Sequence, residues 1–227
     1  MISFQNVSKK FSSAICALEG INLEIQKGEF VFLVGPSGAG KSTLLRLLER
    51  EYLPTSGKII VDDIDITKLK NSEIPKYRRK LGFVFQDCKL LEDRTVFENT
   101  ALALEVRGMS SETIEKEVER TLKLFEIWNR RNLFPRQLSG GEAQRAAIAR
   151  AVICKPEILL ADEPTGDLDP QTSWQVLQLL GEINSWGTTV IMATHNKEIV
   201  DTQKRRVISL KSGKIVKDRS EGKYDIH

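Results

Sequence analysis

One short segment of the sequence has the residue types and spacing to bind phosphate groups. The string GPSGAGKS matches the pattern GxxxxGK[ST], directly after an apolar run and directly before a leucine-rich helical pattern. Its glycines let backbone N–H groups curl around phosphate oxygens, while the following helix adds the positive end of its dipole. We expect Lys41 to contact the β and γ phosphates of a nucleotide, and Ser42 to bind the Mg²⁺ that bridges them. The predicted nucleotide contacts here are Gly35, Pro36, Ser37, Gly38, Ala39, Gly40, Lys41, Ser42 and Thr43.

A pair of acidic residues follows another apolar run. Residues 158–161 read ILLA, typical of a buried strand, and Asp162 and Glu163 come directly after them. Ligands of open α/β sheets bind at the carboxyl ends of the strands. Because side chains alternate along a strand, the two neighbours can take different roles. We expect Asp162 to bind Mg²⁺ and Glu163 to act as general base towards an attacking water, the alternative being a solvated turn before Pro164.

The elements that must position these groups alternate between strands and helices. Leucines at helical spacing follow the phosphate loop, and the segment 99–138 carries a helical face formed by Ile114, Val118, Leu122 and Phe125. Short turns near the N-terminus predict an antiparallel flank, and the alternation elsewhere predicts a mostly parallel sheet with a helical insertion. The principal strands are predicted at 29–34, 58–61, 82–85, 157–162, 188–194 and 206–210.

Length and composition limit the possible classes of protein. The 227 residues fit one α/β domain with an inserted subdomain, and 41% hydrophobic with 29% charged residues excludes wholesale disorder. The formal charge of +3 does not indicate a nucleic-acid-binding protein, and no apolar run is long enough to span a membrane. The first residues lack a signal-peptide pattern, so we expect a cytoplasmic chain. Cys16, Cys88 and Cys154 are expected to be ordinary thiols.

A second possible anion site lies between the phosphate loop and the acidic pair. In the string LSGGE, Ser139 and Glu142 have the spacing of a capping box, and an alanine-rich helical segment follows. The glycine amides and the helix N-terminus would bind an anion. LSGGE resembles the signature motif of the ATP-binding cassette (ABC) family. With the phosphate loop before it and the acidic pair after it, the sequence is identified as similar to the ATPases of that family.

The resemblance implies a fold. Members of the family have an α/β fold, in which a P-loop NTPase core carries an antiparallel β flank and an inserted α-helical subdomain. Matched to this sequence, the core and flank would comprise 1–86 and 157–227, and the helical signature subdomain would comprise 87–156.

The resemblance also implies roles for residues that the spacing alone does not assign. Gln86, after the strand GFVF, would contact Mg²⁺ or the attacking water, and His195, after VIMAT, would contact the γ phosphate. Residues 166–169 would form the D-loop. Phe11 stands where an aromatic side chain stacks on adenine in this family, and the alternative for Phe11 is plain core packing.

In this family two chains related by a two-fold axis enclose two ATP molecules. Each ATP lies between the phosphate loop of one chain and the signature loop of the other. The resemblance therefore implies ATP and Mg²⁺ as cofactors, a homodimer that forms on ATP binding, and catalytic roles for Glu163, His195 and Gln86. The residues expected to contact the partner's nucleotide are Ser139, Gly140, Gly141 and Glu142.

Less general segments favour the cell-division members of the family. These segments are 1–11, 65–87, 88–99 and 190–200, and the string DRTV within 88–99 favours this branch most. Such ATPases would act on an integral membrane partner at the cytoplasmic face of the inner membrane, at the division site, to control cell-wall hydrolases. The partner contact would involve 86–107. The alternative is the ATPase of a lipoprotein-release or macrolide exporter, whereas length and the absence of heptads argue against translation-type and DNA-repair cassettes.

The positive charge is concentrated near the C-terminus. Residues 204–223 contain eight basic and two acidic side chains, so the rest of the sequence is net negative. Two interpretations stand at this point: peripheral contact with an anionic inner leaflet, or a solvated tail.

Overall fold

Strands and helices alternate along the chain in a computed structural model that describes residues 1–12 and 15–225. The strands are β1 (Ile2–Lys10), β2 (Cys16–Ile25), β3 (Phe30–Val34), β4 (Ser56–Val61), β5 (Ile64–Asp65), β6 (Leu81–Val84), β7 (Ile158–Asp162), β8 (Thr189–Thr194), β9 (Arg206–Lys211) and β10 (Lys214–Arg219). The α-helices are α1 (Lys41–Leu48), α2 (Ile74–Arg78), α3 (Val96–Glu105), α4 (Ser111–Leu124), α5 (Gly140–Val152), α6 (Pro170–Ser185) and α7 (Lys197–Thr202). The predicted principal strands are confirmed, with their ends shifted by one or two residues.

The central sheet brings the predicted site residues to one edge. Its strand order is β10-β9-β3-β8-β7-β6, and β9, β3, β8, β7 and β6 run parallel. Val34 pairs with Thr194, and Asp162 pairs with Ala193, so the carboxyl ends of β3, β8 and β7 are level. The phosphate loop, His195 and Glu163 follow these three strand ends.

The two faces of the central sheet bury separate apolar clusters. Phe32 of β3 belongs to a cluster with residues of α3 to α7, whereas Leu33 belongs to a cluster with α1 and the antiparallel sheet. That second sheet has the order β2-β1-β4-β5, with Ile2 paired to both Ile25 and Val61. The predicted antiparallel flank is therefore confirmed.

The predicted helical insertion lies between β6 and β7. Val118 and Leu122 of α4 are buried, as is Phe125 directly after the helix. Helix α5 shares the apolar cluster that covers β3, so the insertion and the sheet are packed together. The subdomain limits 87 and 156 stay a prediction. Among the residues that the structure describes, no helix is both long and apolar enough to cross a bilayer.

Most of the basic segment near the C-terminus forms the hairpin β9–β10 at the edge of the central sheet. Arg206 Nη1 lies 3.0 Å from Glu29 Oε1, and Arg206 Nη2 lies 2.7 Å from Asp218 Oδ2. The hydrogen bonds to Asp218 raise the pKa of the Arg206 guanidinium. The segment is therefore folded rather than a tail, although Lys214 and Arg219 stay exposed, and contact with an anionic leaflet stays a prediction.

Candidate nucleotide-binding site

The phosphate loop is shaped by two glycines that no other residue could replace without movement. Gly35 has φ 152°, and a Cβ placed on it would lie 2.3 Å from the Leu210 carbonyl oxygen. Gly40, just before α1, has φ 105°, and its Cβ would lie 2.6 Å from the Ala17 carbonyl oxygen. Glycine tolerates both the positive φ and the close approach. The loop is thus held between the end of β9 and the start of β2.

Lys41 is buried at the start of α1 and points back into the loop. Its Nζ donates to the carbonyl oxygens of Gly35, at 2.8 Å, and Pro36, at 3.4 Å. The same Nζ lies 3.6 Å from Glu163 Oε1. The amine is therefore held between the phosphate loop and the second acid of the acidic pair.

Ser42 and Asp162 meet as their predicted metal role requires. Ser42 Oγ donates to Asp162 Oδ1 at 3.0 Å. Burial raises the pKa of the Asp162 carboxyl, the Ser42 hydrogen bond opposes that rise, and the neighbouring Glu163 charge adds to it. No cluster of three or more His, Cys, Asp or Glu side chains in the described part of the chain could hold a metal. A hydroxyl beside one carboxylate fits Mg²⁺, which prefers oxygen ligands and takes few of them from protein.

Glu163 and His195 make two contacts in the site. His195 Nδ1 lies 2.9 Å from Glu163 Oε1, and the His195 backbone N–H donates to Glu163 Oε2 at 3.2 Å. Glu163 has φ 47°, a left-handed conformation that costs about 1 kcal/mol or more in a residue with a side chain. The Glu163 backbone N–H donates to the Ala193 carbonyl at 2.9 Å, which helps to hold this conformation.

These groups surround one cleft of about 640 Å³. Gly35 and Asp162 do not line the cleft, but they accept hydrogen bonds from Lys41 and Ser42, which do. Gln86 lies on the same wall as the D-loop, because a Cβ on Gly166 would lie 3.5 Å from Gln86 Nε2. Sequence reasoning missed two lining residues, Ala17 and Tyr224, since neither belongs to a motif. The lining comprises Ala17, Pro36, Ser37, Gly38, Ala39, Gly40, Lys41, Ser42, Thr43, Gln86, Glu163, His195 and Tyr224.

Phe11 is not among the residues that line this cleft. Its side chain is 49% exposed, and its ring meets Tyr52 edge-on with centroids 5.2 Å apart. Lys9 Nζ lies 5.1 Å from the Phe11 ring centroid. Core packing does not describe so exposed a ring, and stacking on adenine stays a prediction.

The signature loop is a closed hydrogen-bonding unit at the start of α5. The Glu142 backbone N–H donates to Ser139 Oγ at 3.3 Å, and the Ser139 backbone N–H donates to Glu142 Oε2 at 2.8 Å. This is the predicted capping box. Arg130 Nε donates to Glu142 Oε1 at 2.7 Å, and this bond, together with the Ser139 N–H, lowers the pKa of Glu142 to about 2. Ser139 and Gly140 are exposed.

The segment after Gln86 is tied to α5 by a second set of hydrogen bonds. Arg150 donates to the carbonyl oxygens of Lys89, at 2.6 Å, and Cys88, at 2.7 Å. The Cys88 thiol donates to Gln144 Oε1 at 2.8 Å. Burial raises the pKa of Cys88 to about 11, so the thiol stays protonated and acts as a donor. These bonds connect the backbone next to Gln86 with the helix that carries the signature loop.

Comparisons with known proteins show what the chain as a whole is similar to. A family model described as ABC transporter matches residues 18–166. The chain is 52% identical over 224 residues to the cell division ATP-binding protein FtsE of Bacillus subtilis, covering 99% of this chain and 98% of the relative. The protein of that name from Mycobacterium tuberculosis is 49% identical over 225 residues, with 99% and 98% covered. A solved dimer of the ATP-binding cassette MJ0796, in a post-hydrolysis state bound to ADP and Pi, has a TM-score of 0.89 and 39% identity, covering 98% of this chain and 99% of that one.

Proposed function

This chain belongs to the ABC transporter family, and we propose that it is the ATP-hydrolysing subunit of a bacterial cell-division complex of the FtsE and FtsX type. The observation that supports hydrolysis most directly is the meeting of Lys41, Ser42, Asp162, Glu163 and His195 around one cleft. The similarity to FtsE proteins over nearly the full chain supports the cell-division role.

ATP would bind with its phosphates in the loop that precedes α1. The backbone N–H groups of 37–43 and the N-terminus of α1 would bind the phosphate oxygens, and Lys41 would turn from the loop carbonyls to the β and γ phosphates. Ser42, Asp162 and Gln86 would hold Mg²⁺, which when bound offsets charge on the same two phosphates.

Hydrolysis would use Glu163 as the general base. A water that attacks the γ phosphate gives its proton to the Glu163 carboxylate, whose position is fixed by the Nδ1 and backbone N–H of His195. His195 is mostly exposed at the mouth of the cleft and would contact the γ phosphate. The products are ADP and inorganic phosphate.

A second copy of the chain would complete each site. The signature loop would contact ATP held by the phosphate loop of the partner chain, through the Ser139 hydroxyl and the N–H groups that begin α5. The exposure of Ser139 and Gly140 supports this role, as does the dimeric state of the MJ0796 cassette. ATP binding would close the dimer, and hydrolysis would open it.

The membrane partner, FtsX, would dock beside the Gln86 segment. A groove of about 540 Å³ lies between α2, α3 and β6, lined partly by Phe83, Leu102 and Val106, and Val106 is 67% exposed. Arg150 and Cys88, which tie this segment to α5, would link docking to the signature loop. The chain would thereby lie peripherally at the cytoplasmic face of the inner membrane, and its ATP cycle would regulate cell-wall hydrolysis through FtsX.

The hydrolytic part is tested by steady-state ATP hydrolysis with Mg²⁺ and with EDTA, for the wild-type chain and for Lys41→Ala. We expect hydrolysis only in the wild type with Mg²⁺. Equal rates in the wild type and in Lys41→Ala would reject the proposed site, and full activity in EDTA would reject the metal role.

The cell-division part is tested by co-purification from membranes of the source cells. We expect a tagged chain to retain an FtsX-type membrane protein and to lose it when Val106→Glu places a charge in the groove. Retention of an exporter permease instead would favour the alternative, the ATPase of a lipoprotein-release or macrolide exporter.

A further inference from the structure

A short segment after β10 returns along β9 towards the nucleotide cleft. The Gly222 backbone N–H donates to the Arg205 carbonyl at 3.1 Å, and Ser209 Oγ donates to the Asp225 carbonyl at 2.6 Å. Residues 222–225 therefore pass from the beginning of β9 to its carboxyl half, the edge at which the cleft lies. Lys217 Nζ, 2.5 Å from Asp225 Oδ2, pins the segment to β10.

Tyr224 of this segment joins α7 to the cleft. Its backbone N–H donates to Asp201 Oδ1 of α7 at 2.6 Å. The Tyr224 ring packs against the apolar cluster that contains Ile199 and Val200 of the same helix, and it also lines the cleft beside Glu163 and His195. Because α7 begins two residues after His195, a group that holds α7 also holds the backbone that follows His195.

Tyr224 and Glu163 line the same cleft, and the charge of the carboxylate acts on the phenol. Burial raises the pKa of Tyr224, and the Glu163 charge raises it further. The Glu163 side chain is only 12% exposed, although the neighbouring His195 side chain is 64% exposed. A ring on this wall would limit the access of bulk water to Glu163 without disturbing its two contacts with His195.

We propose that Tyr224 is a positioning residue of the ATPase site, whose ring and bond to Asp201 keep the Glu163–His195 pair in place. This inference rests on the proposed function, in which that pair acts on the attacking water. We assign the positioning role to the Tyr224 ring and not to its hydroxyl, because the hydrogen bond to Asp201 is donated by the Tyr224 backbone N–H.

The test separates kcat from ATP affinity in Tyr224→Ala and Tyr224→Phe. We expect Tyr224→Ala to lower kcat about 10- to 100-fold, as for a small displacement of catalytic groups, with the Kd for ATP within about twofold of wild type. Tyr224→Phe keeps the ring and should restore kcat to within about twofold. Lys214→Ala, on the same hairpin but in an exposed pair with Glu19, is the matched control and should behave as wild type.

Asp201→Ala provides a second route that leaves the ring in place, should Tyr224→Ala fail to fold. We expect it to lower kcat in the same direction by several-fold, with ATP binding unchanged. A wild-type kcat in both Tyr224→Ala and Asp201→Ala would overturn the inference, and so would a raised Kd with unchanged kcat. A wild-type chain that does not hydrolyse ATP would instead overturn the proposed function itself.

Discussion

The phosphate loop and the signature loop are both predicted to bind ATP, yet they are built in opposite ways. Around the phosphate loop, side chains from distant parts of the sequence meet: Lys41 with Glu163 at 3.6 Å, Ser42 with Asp162 at 3.0 Å, and Glu163 with His195 at 2.9 Å. In the signature loop, Ser139 bonds to its near neighbour Glu142. Within residues 1–12 and 15–225, no hydrogen bond or ion pair joins the two loops.

The two loops differ in whether a single chain can complete them. Parallel strands in register bring the phosphate-loop groups together, so folding alone assembles them. The signature loop hydrogen-bonds within itself through Ser139 and Glu142 and its first residues are exposed, which supports the proposal that it contacts ATP held by a second chain. We therefore expect substitutions around the phosphate loop to impair hydrolysis, and substitutions in the signature loop to impair dimer assembly.

We expect the largest effect at Glu163, one of the groups that folding brings together around the phosphate loop. Glu163→Gln removes the general base but keeps the size of the side chain, so we expect ATP hydrolysis to fall by about 10² to 10⁴ while ATP still binds. Steady-state hydrolysis and equilibrium ATP binding measure the two parts. The control is Glu157→Gln, at the opposite end of β7, where Glu157 pairs with Lys80 on the surface. Wild-type hydrolysis in Glu163→Gln would show that another group takes the proton.

The next effect tests the signature loop. Ser139→Arg places a bulky side chain where the partner's ATP should pack, so we expect ATP-induced dimerisation to weaken by about 10- to 100-fold or more. Nucleotide binding to the single chain should persist, because the phosphate loop is untouched. Sedimentation with and without ATP measures dimerisation. Ser110→Arg changes the equivalent N-cap of α4 and serves as the control. Unchanged dimerisation in Ser139→Arg would break the contrast between the two loops.

A smaller effect tests the connection between the regions. Arg150→Ala removes two hydrogen bonds to the carbonyls of Cys88 and Lys89, so we expect the free energy of unfolding to fall by about 1 to 3 kcal/mol. Urea denaturation measures this change, with Arg120→Ala on the exposed face of α4 as the control. If Arg150→Ala and Arg120→Ala had the same free energy of unfolding, the hydrogen bonds between the Gln86 segment and α5 would not contribute to stability.

The smallest effect is electrostatic and depends on pH. Arg130 lowers the pKa of Glu142 to about 2 in the folded chain, below the value of about 4.3 expected when unfolded. The stabilisation is thus present above about pH 4.3 and is lost as the pH falls towards 2. Arg130→Ala should lower the free energy of unfolding by about 0.5 to 1 kcal/mol at neutral pH, since the pair is partly exposed. If the difference in the free energy of unfolding between wild type and Arg130→Ala did not shrink as the pH falls, the Arg130–Glu142 pair would not be its cause.

The sequence predicted the two regions to different depths, for physical reasons. The capping box of Ser139 and Glu142 is local, so spacing alone predicted it. The meeting of Ser42 and Asp162 followed from a phosphate loop and an acidic strand end at one sheet edge. The contact of Glu163 with His195 depends on strand order and on the left-handed backbone at Glu163; the family resemblance gave each residue a role but did not indicate the contact.

Two features could not be predicted because they depend on packing between remote segments. Tyr224 reaches the cleft only because residues 222–225 return along β9, and no periodicity marks that path. The sequence predicted β9 at 206–210 but not β10, because the basic composition obscured the hairpin and the charge count did not pair Arg206 with Asp218 or Lys217 with Asp225.

The most direct test of the central claim is a cross-link between the phosphate loop of one chain and the signature loop of another. Chains that carry Ser37→Cys are mixed with longer, tagged chains that carry Ser139→Cys, both in a Glu163→Gln background, and treated with a short bismaleimide. Chains with Glu163→Gln alone control for Cys16, Cys88 and Cys154. We expect a covalent heterodimer, joined at positions 37 and 139, that forms only with ATP. The absence of that heterodimer, or an equal yield without ATP, would contradict the account.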